Sequence, residues 1–287
     1  MQFLSKYNKD NTVEKLIKNA IWEDTQGFDH SALACIPASQ IGNMKLLVKE
    51  DGIIAGIELA GIIFKEVDES IQIEELISDG TPVKRGQVVF TVKGPEISLL
   101  KAERLVLNCM QRMSAIATKT KSFTKLIDDL PTKILDTRKT TPGIRILEKW
   151  AVKIGGGENH RFGLYDMIML KDNHIDFAGG IPKAIEQTKA YLSKNNLDLK
   201  IEVETRNLEE VKGVLAIGGI HRIMLDNFNL EDTVTAVKLI DGRFETESSG
   251  GIDEKTLRGY ALCGVDYVSM GALTHSVYNM DLSLKAI

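Results

Sequence analysis

Two hydrophobic rhythms divide this chain near residue 130. Before it, helical and strand-like spacings are mixed. Val13, Leu16, Ile17, Ala20 and Ile21 share one helical face, which predicts a helix beginning near Asn11 and Thr12. MKLLVKE, GIIAGIEL, SIQIEELI and QVVFTVK are short apolar runs that read as strands, punctuated by the turn signals Asp51-Gly52 and Asp79-Gly80. From Ile97 to Leu130 one long helical pattern runs on until Pro131, as a helix joining two domains would.

After Pro131 the pattern becomes repetitive. TKILD (132–136), MIML (167–170), KIEVE (200–204), RIMLD (222–226), RFETES (243–248) and DYVSM (266–270) read as strands, with helical stretches such as 207–217 and 229–240 between them. Strand and helix in alternation means parallel strands with right-handed crossovers. Each run ends in polar residues or glycine: Asp136 with Arg138 and Lys139, Lys171, Glu204, Asp226, Ser248 to Gly251, and Gly271. Any one such end could simply meet solvent. Six on one face suit the C-terminal mouth of an α/β barrel, where side chains from successive strands converge. The predicted fold is therefore an N-terminal α/β sandwich-like domain over 1–110, joined by the C-terminal segment 276–287. It is followed by an incomplete α/β barrel of six or seven strands over 111–275, with an open doubly wound sheet as the alternative.

Composition narrows the function. No apolar run reaches the roughly 20 residues of a membrane-spanning helix, and the opening MQFLSKYNKD lacks the order of a secretory signal, so the expected location is the cytoplasm. Cys35, Cys109 and Cys263 are widely spaced, an odd number without a CxxC pair, and read as buried thiols. A net charge of −4 argues against nucleic acid as a partner. Yet between Asp136 and His174 seven Lys and Arg face five acids. A basic pocket in an acidic protein suits a small anion.

The chemistry-bearing residues fall at those strand ends. In DTRKTTPG (136–143), Arg138 offers a planar fork for a carboxylate and Lys139 a compact charge for phosphate; a solvated basic turn is the bland alternative. IRILEKWAVKI is helical, and Gly155 serves as its C-cap. Gly156 and Gly157 extend the loop before His160 and Arg161, which implies a backbone passing close to something. Lys171 ends a strand and either snorkels to water or points into the barrel mouth. Glu202 and Glu204 share one strand face, and with Asp226 they form a candidate magnesium site, salt bridges to Arg138 or Lys171 being the other account. SSGG (248–251) and GALTHS (271–276) place glycine amides, Ser249 and His275 at the last two strand ends, where barrels commonly hold phosphate.

DTRKTTPGIRILEKWAVKIGGGENHRFGLYDMIMLKDNH, with IEVET, IMLDNF, ESSGGI and YVSMGALTHS, closely resembles the quinolinate phosphoribosyltransferase family over nearly the whole chain. There are two departures, Ala115 in SAIAT (114–118) and Trp150; the first touches packing more than chemistry, and neither bears on the implied activity. The resemblance implies that Arg138, Lys139, His160, Arg161 and Lys171 hold quinolinate, and that the neighbouring subunit of a homodimer, or of a hexamer built from dimers, supplies Arg104. It further implies that Glu204 and Asp226 surround magnesium and the ribose-pyrophosphate, with Ser249, Gly250, Gly271 and His275 at the 5-phosphate. Lys139, Lys171, Glu204 and Asp226 are the implied catalytic groups, and the glycine loop would let His160 and Arg161 close over a dianion. The substrates implied are quinolinate and phosphoribosyl pyrophosphate. A barrel aldolase using Lys171 as a Schiff-base amine is the rival chemistry.

Overall fold

The computed structural model describes residues 2–287, and Met1, the first residue of the expected N-terminal domain, lies outside them. Its strands are β1 (Ile41–Val48), β2 (Gly52–Ile53), β3 (Gln72–Glu75), β4 (Pro82–Val83), β5 (Val88–Pro95), β6 (Lys133–Leu135), β7 (Ile168–Leu170), β8 (Ile201–Thr205), β9 (Arg222–Asp226), β10 (Glu245–Ser249), β11 (Tyr267–Ser269) and β12 (Leu282–Ala286). Two compact units form. One runs to Lys121 and adds Thr140–Gly156 and Leu273–Ile287; the other comprises Ser122–Lys139 and Gly157–Ala272.

In the first unit an antiparallel sheet has the order β12-β1-β5-β3. The C-terminal strand returns to pair with β1, from Met44 opposite Ala286 to Val48 opposite Leu282. GIIAGIEL departs from its reading as a strand: only Gly52 and Ile53 pair, and a helix takes over at Ile57–Val67. The reason is nonlocal. Gly56 adopts φ +101°, and the Asp79 carboxylate accepts the N–H groups of Ile57 and Glu58, so the turn from a distant segment caps the new helix. Helix Glu96–Lys125 is 30 residues long and buries Leu99, Ala102, Val106, Met110, Met113 and Ala117, a 3.6-residue stripe. Residue 110, where the sequence pattern places the domain boundary, lies inside this helix. Thr140–Gly156, expected in the barrel domain, groups with the first unit. Its helix Arg145–Ile154 stacks Trp150 on Phe3, with ring centroids 5.7 Å apart.

The second unit is the incomplete barrel: six parallel strands in the order β6-β11-β10-β9-β8-β7. All six lie where the apolar runs predict them. The register sets Glu202 opposite Arg222, Glu247 opposite Met224, and Glu247 opposite Tyr267. Alternation along each strand then puts Glu202 and Glu204, Arg222 and Asp226, and Glu245, Glu247 and Ser249 on one shared face. Asn207 and Asn229 start the crossover helices Leu208–Ile217 and Leu230–Ile240, each side chain accepting a backbone N–H three residues on. The helices Asp172–Ala178 and Ile181–Asn195 follow β7.

Candidate active site

The strand ends of the barrel hold a layered set of charges. At the mouth, Lys171 caps the helix after β7 and its Nζ lies 2.6 Å from Glu204 Oε2 at the end of β8. Asp226, ending β9, accepts hydrogen bonds from Ser249 Oγ at 2.6 Å and Asn227 Nδ2 at 2.7 Å. Arg161 is half-buried. Burial and the nearby charge of Arg138 hold its guanidinium pKa below the usual value, while Glu202, Asp166 and Glu204 oppose the shift. Arg138, Arg161, Lys171 and Glu204 thus sit within one electrostatic neighbourhood. Two guanidinium groups that repel each other are satisfied by an anion between them. Exposed Arg138 and Lys139 ride a loop turned by the Lys139 N–H bond to Thr137 Oγ1, 3.0 Å.

Below the mouth lies a layer that the sequence reading largely missed. Glu202 and Glu247 are wholly buried, and their carboxylate oxygens converge with His160 within 4.8 Å. Burial pushes both carboxyls up to about 7; at Glu247 the charge of Glu202 adds to the effect, while Arg222 opposes it at both. Arg222 donates to Glu247 at 2.7 Å and to Glu245 at 3.0 Å, and its guanidinium lies 4.0 Å from the centre of the Tyr267 ring. The signal was present as charged residues at alternate positions of RIMLD and RFETES. Only the register shows that they meet.

His160, expected to face the diacid, is nearly buried with both ring nitrogens toward protein. Nδ1 accepts the Arg161 N–H at 2.6 Å, and Nε2 lies 3.1 Å from Glu202 and 3.6 Å from Glu247. Asp136 holds the same loop from the β6 side, accepting the His160 N–H at 2.9 Å and Asn159 Nδ2 at 2.6 Å. Gly155 is the helix C-cap expected, and the close approach in the glycine run is to the long helix. A Cβ on Gly155 would lie 2.6 Å from the Ala117 carbonyl, so helix packing demands glycine there, and Gly156 is held at φ +92°. Gly250, in the SSGG turn, combines φ +95° with a would-be Cβ 2.2 Å from Asn227 Oδ1. We expect Gly250→Ala to cost about 2 kcal/mol or more, from the left-handed backbone and the overlap together. Thermal melts should register it, and an unchanged melting temperature would contradict the strain.

Gly271 lies just past β11 in the same unit, whereas Arg104 and His275 belong to the first unit, both exposed. His275 Nδ1 is 2.6 Å from Ser276 Oγ. For a magnesium ion, Glu204 and Asp226 offer the all-oxygen donors that it prefers, on neighbouring strands, so the residues fit. Among the described residues, the trio with converging metal-ligand atoms is instead His160, Glu202 and Glu247, where the Arg222 guanidinium already balances charge.

An incomplete barrel with cations, acids and a glycine turn gathered at its mouth defines a phosphoribosyltransferase built for a second anionic substrate. The match to known proteins is direct. Models of the quinolinate phosphoribosyl transferase N-terminal and C-terminal domains match residues 29–114 and 116–285. The chain belongs to the quinolinate phosphoribosyltransferase family. It is 46% identical to the mitochondrial quinolinate phosphoribosyltransferase [decarboxylating] 2b of Nicotiana tabacum, covering 95% of this chain and 82% of that one. It is 39% identical to the probable nicotinate-nucleotide pyrophosphorylase [carboxylating] of Bacillus subtilis strain 168, covering 95% and 92%. The crystal structure of NadC from Streptococcus pyogenes superposes with a TM-score of 0.89 at 38% identity, covering 96% of this chain and 97% of that one.

Proposed function

We infer that this chain transfers the phosphoribosyl group of phosphoribosyl pyrophosphate to quinolinate with decarboxylation. The products are nicotinate mononucleotide, pyrophosphate and CO2, a step of de novo NAD biosynthesis. The observation that carries the reading is the mouth itself: Arg161 in the field of Arg138 and Glu204, beside the Lys171–Glu204 pair. Arg138 and Arg161 present forks for the two carboxylates of quinolinate, and Lys139 and Lys171 supply compact charges where pyrophosphate departs. Ser249, Gly250 and Gly271 offer hydroxyl and amide donors to the 5-phosphate. Magnesium held by Glu204 and Asp226 would neutralise pyrophosphate charge as the glycosidic bond breaks.

The ring nitrogen of quinolinate attacks the anomeric carbon as the sugar develops cationic character, and the ring becomes a pyridinium. When the adjacent carboxylate leaves, the electrons of the broken C–C bond stay on the ring carbon, stabilised by that positive nitrogen. A proton then replaces CO2, with Lys139 and Lys171 the candidate donors. Preorganised cations that need not move during the reaction supply most of such acceleration. The Lys171 amine is engaged as a donor to Glu204 at 2.6 Å, which argues against the Schiff-base reading.

A homodimer, or a hexamer of dimers, in which Arg104 reaches the neighbour's site completes the proposal; its exposed position on the long helix leaves it available. We place the reaction in the cytoplasm. Among the described residues no helix is long and apolar enough to cross a membrane. The test mixes the protein with carboxyl-labelled quinolinate, phosphoribosyl pyrophosphate and magnesium. Labelled CO2 and pyrophosphate should appear in equal amounts, and chelator should stop both. Absence of either product with magnesium present would refute the transferase, and full turnover in excess chelator would remove the metal.

A further inference from the structure

Arg161 owes its aim to a support that lies beneath it. The residue before it, His160, is fixed on three sides by groups from three strands. Its backbone N–H is held by Asp136 after β6; its Nε2 faces Glu202 of β8 and Glu247 of β10; its Nδ1 accepts the N–H of Arg161 itself. Both ring nitrogens are turned toward protein groups. The two carboxyls are in turn held by their strands, and Glu247 by Arg222 of β9, whose own position is set by Glu245 and the face of Tyr267. Such a buried polar cluster would be costly if its only role were stability, since apolar side chains of similar size would fill the space as well. Its output is geometric: one rigid imidazole locks the peptide plane that joins it to Arg161.

We propose that Asp136, Glu202 and Glu247 are positioning residues that act through His160 to hold the Arg161 guanidinium in the geometry that grips quinolinate. Residues remote from a ligand control its affinity in this way when they keep a charged fork within a fraction of an ångström of its partner. The proposal rests on the transferase reading above for the identity of the ligand. It differs from the sequence expectation for His160, which becomes a link in the support rather than a contact to the diacid.

Steady-state kinetics of the full chain with each substrate varied separately test it. In Glu247→Leu the KM for quinolinate should rise about tenfold, the KM for phosphoribosyl pyrophosphate should stay within about twofold, and Glu247→Gln should recover most of the loss by restoring an acceptor of the same shape. In an Arg161→Ala background, Glu247→Leu should shift the quinolinate KM less than about twofold, because the residue being aimed is gone. Should Glu247→Leu fail to fold, Asp136→Asn loosens the same loop from its other side and should show the same split between substrates. The proposal is overturned if the two KM values change together, if kcat alone falls, or if the effect persists without Arg161. Wild-type product release in the same assay separates these outcomes from a failure of the transferase reading.

Discussion

Arg112→Met should destabilise the protein by about 3–5 kcal/mol, although the residue touches none of the proposed substrate groups. Glu148 is wholly buried and relies on this arginine, which donates to its Oε1 from Nε at 2.9 Å and from Nη2 at 2.8 Å. The other bonds of the carboxylate reach into the TTPG turn, accepting from Thr141 N at 3.0 Å and Thr141 Oγ1 at 2.9 Å. Arg112 also donates to the carbonyls of Thr274 and Val277. One guanidinium therefore fixes two loops of the first unit onto the long helix. Methionine keeps the length and removes the charge, leaving a buried anion with two neutral donors. Urea denaturation should show a lower midpoint at unchanged slope, and Glu148→Gln added to Arg112→Met should recover part of the loss because no unpaired charge remains. An unfolding free energy within about 0.5 kcal/mol of wild type would show that the pair carries no such burden.

How far the sequence foretold this depended on whether the deciding contact was local. The barrel was legible because parallel strands buried on both faces must be apolar runs, and each run had to end where the mouth begins: MIML at Lys171, KIEVE at Glu204, RIMLD at Asp226. GIIAGIEL was not legible, since a short apolar run has no period to separate strand from buried helix, and Asp79 settles it from more than 20 residues away. Gly155 was read only as a helix C-cap, because nothing local shows that Ala117 would stand in the path of a Cβ. The Arg112–Glu148 pair is likewise invisible, its partners being 36 positions apart. The inner layer is the most instructive case. Glu202 was noticed as a metal ligand or a salt-bridge partner of Arg138 or Lys171, whereas Glu247 and Arg222 were passed over; their meaning depends on a register that sets Glu202 opposite Arg222 and that no single strand encodes.

Lys171→Met is expected to lower kcat/KM by about 10² to 10³, equivalent to roughly 2.7–4 kcal/mol of transition-state stabilisation, the range for deleting one preorganised donor from a site where charge develops. The loss in rate should exceed the loss in folding stability: the lysine side chain is 44% exposed, so solvent screens its charge, although the buried Glu204, 9% exposed, is left without its ammonium. Activity and stability are thereby separable at this position. Lys171→Arg should not restore the rate: at 2.6 Å, Glu204 Oε2 is matched to a compact ammonium, and a guanidinium spreads its charge over a wider plane and brings its donors in as a fork. The ammonium also has two further protons directed away from Glu204, which is what a group needs if it is to serve pyrophosphate or the decarboxylated ring carbon while staying anchored. Single-turnover and steady-state rates on purified variants decide the matter, with circular dichroism melts as the control. If Lys171→Met turns over within threefold of wild type at an unchanged melting temperature, the ammonium stands outside the chemistry, and protonation of the ring carbon falls to Lys139 or to water.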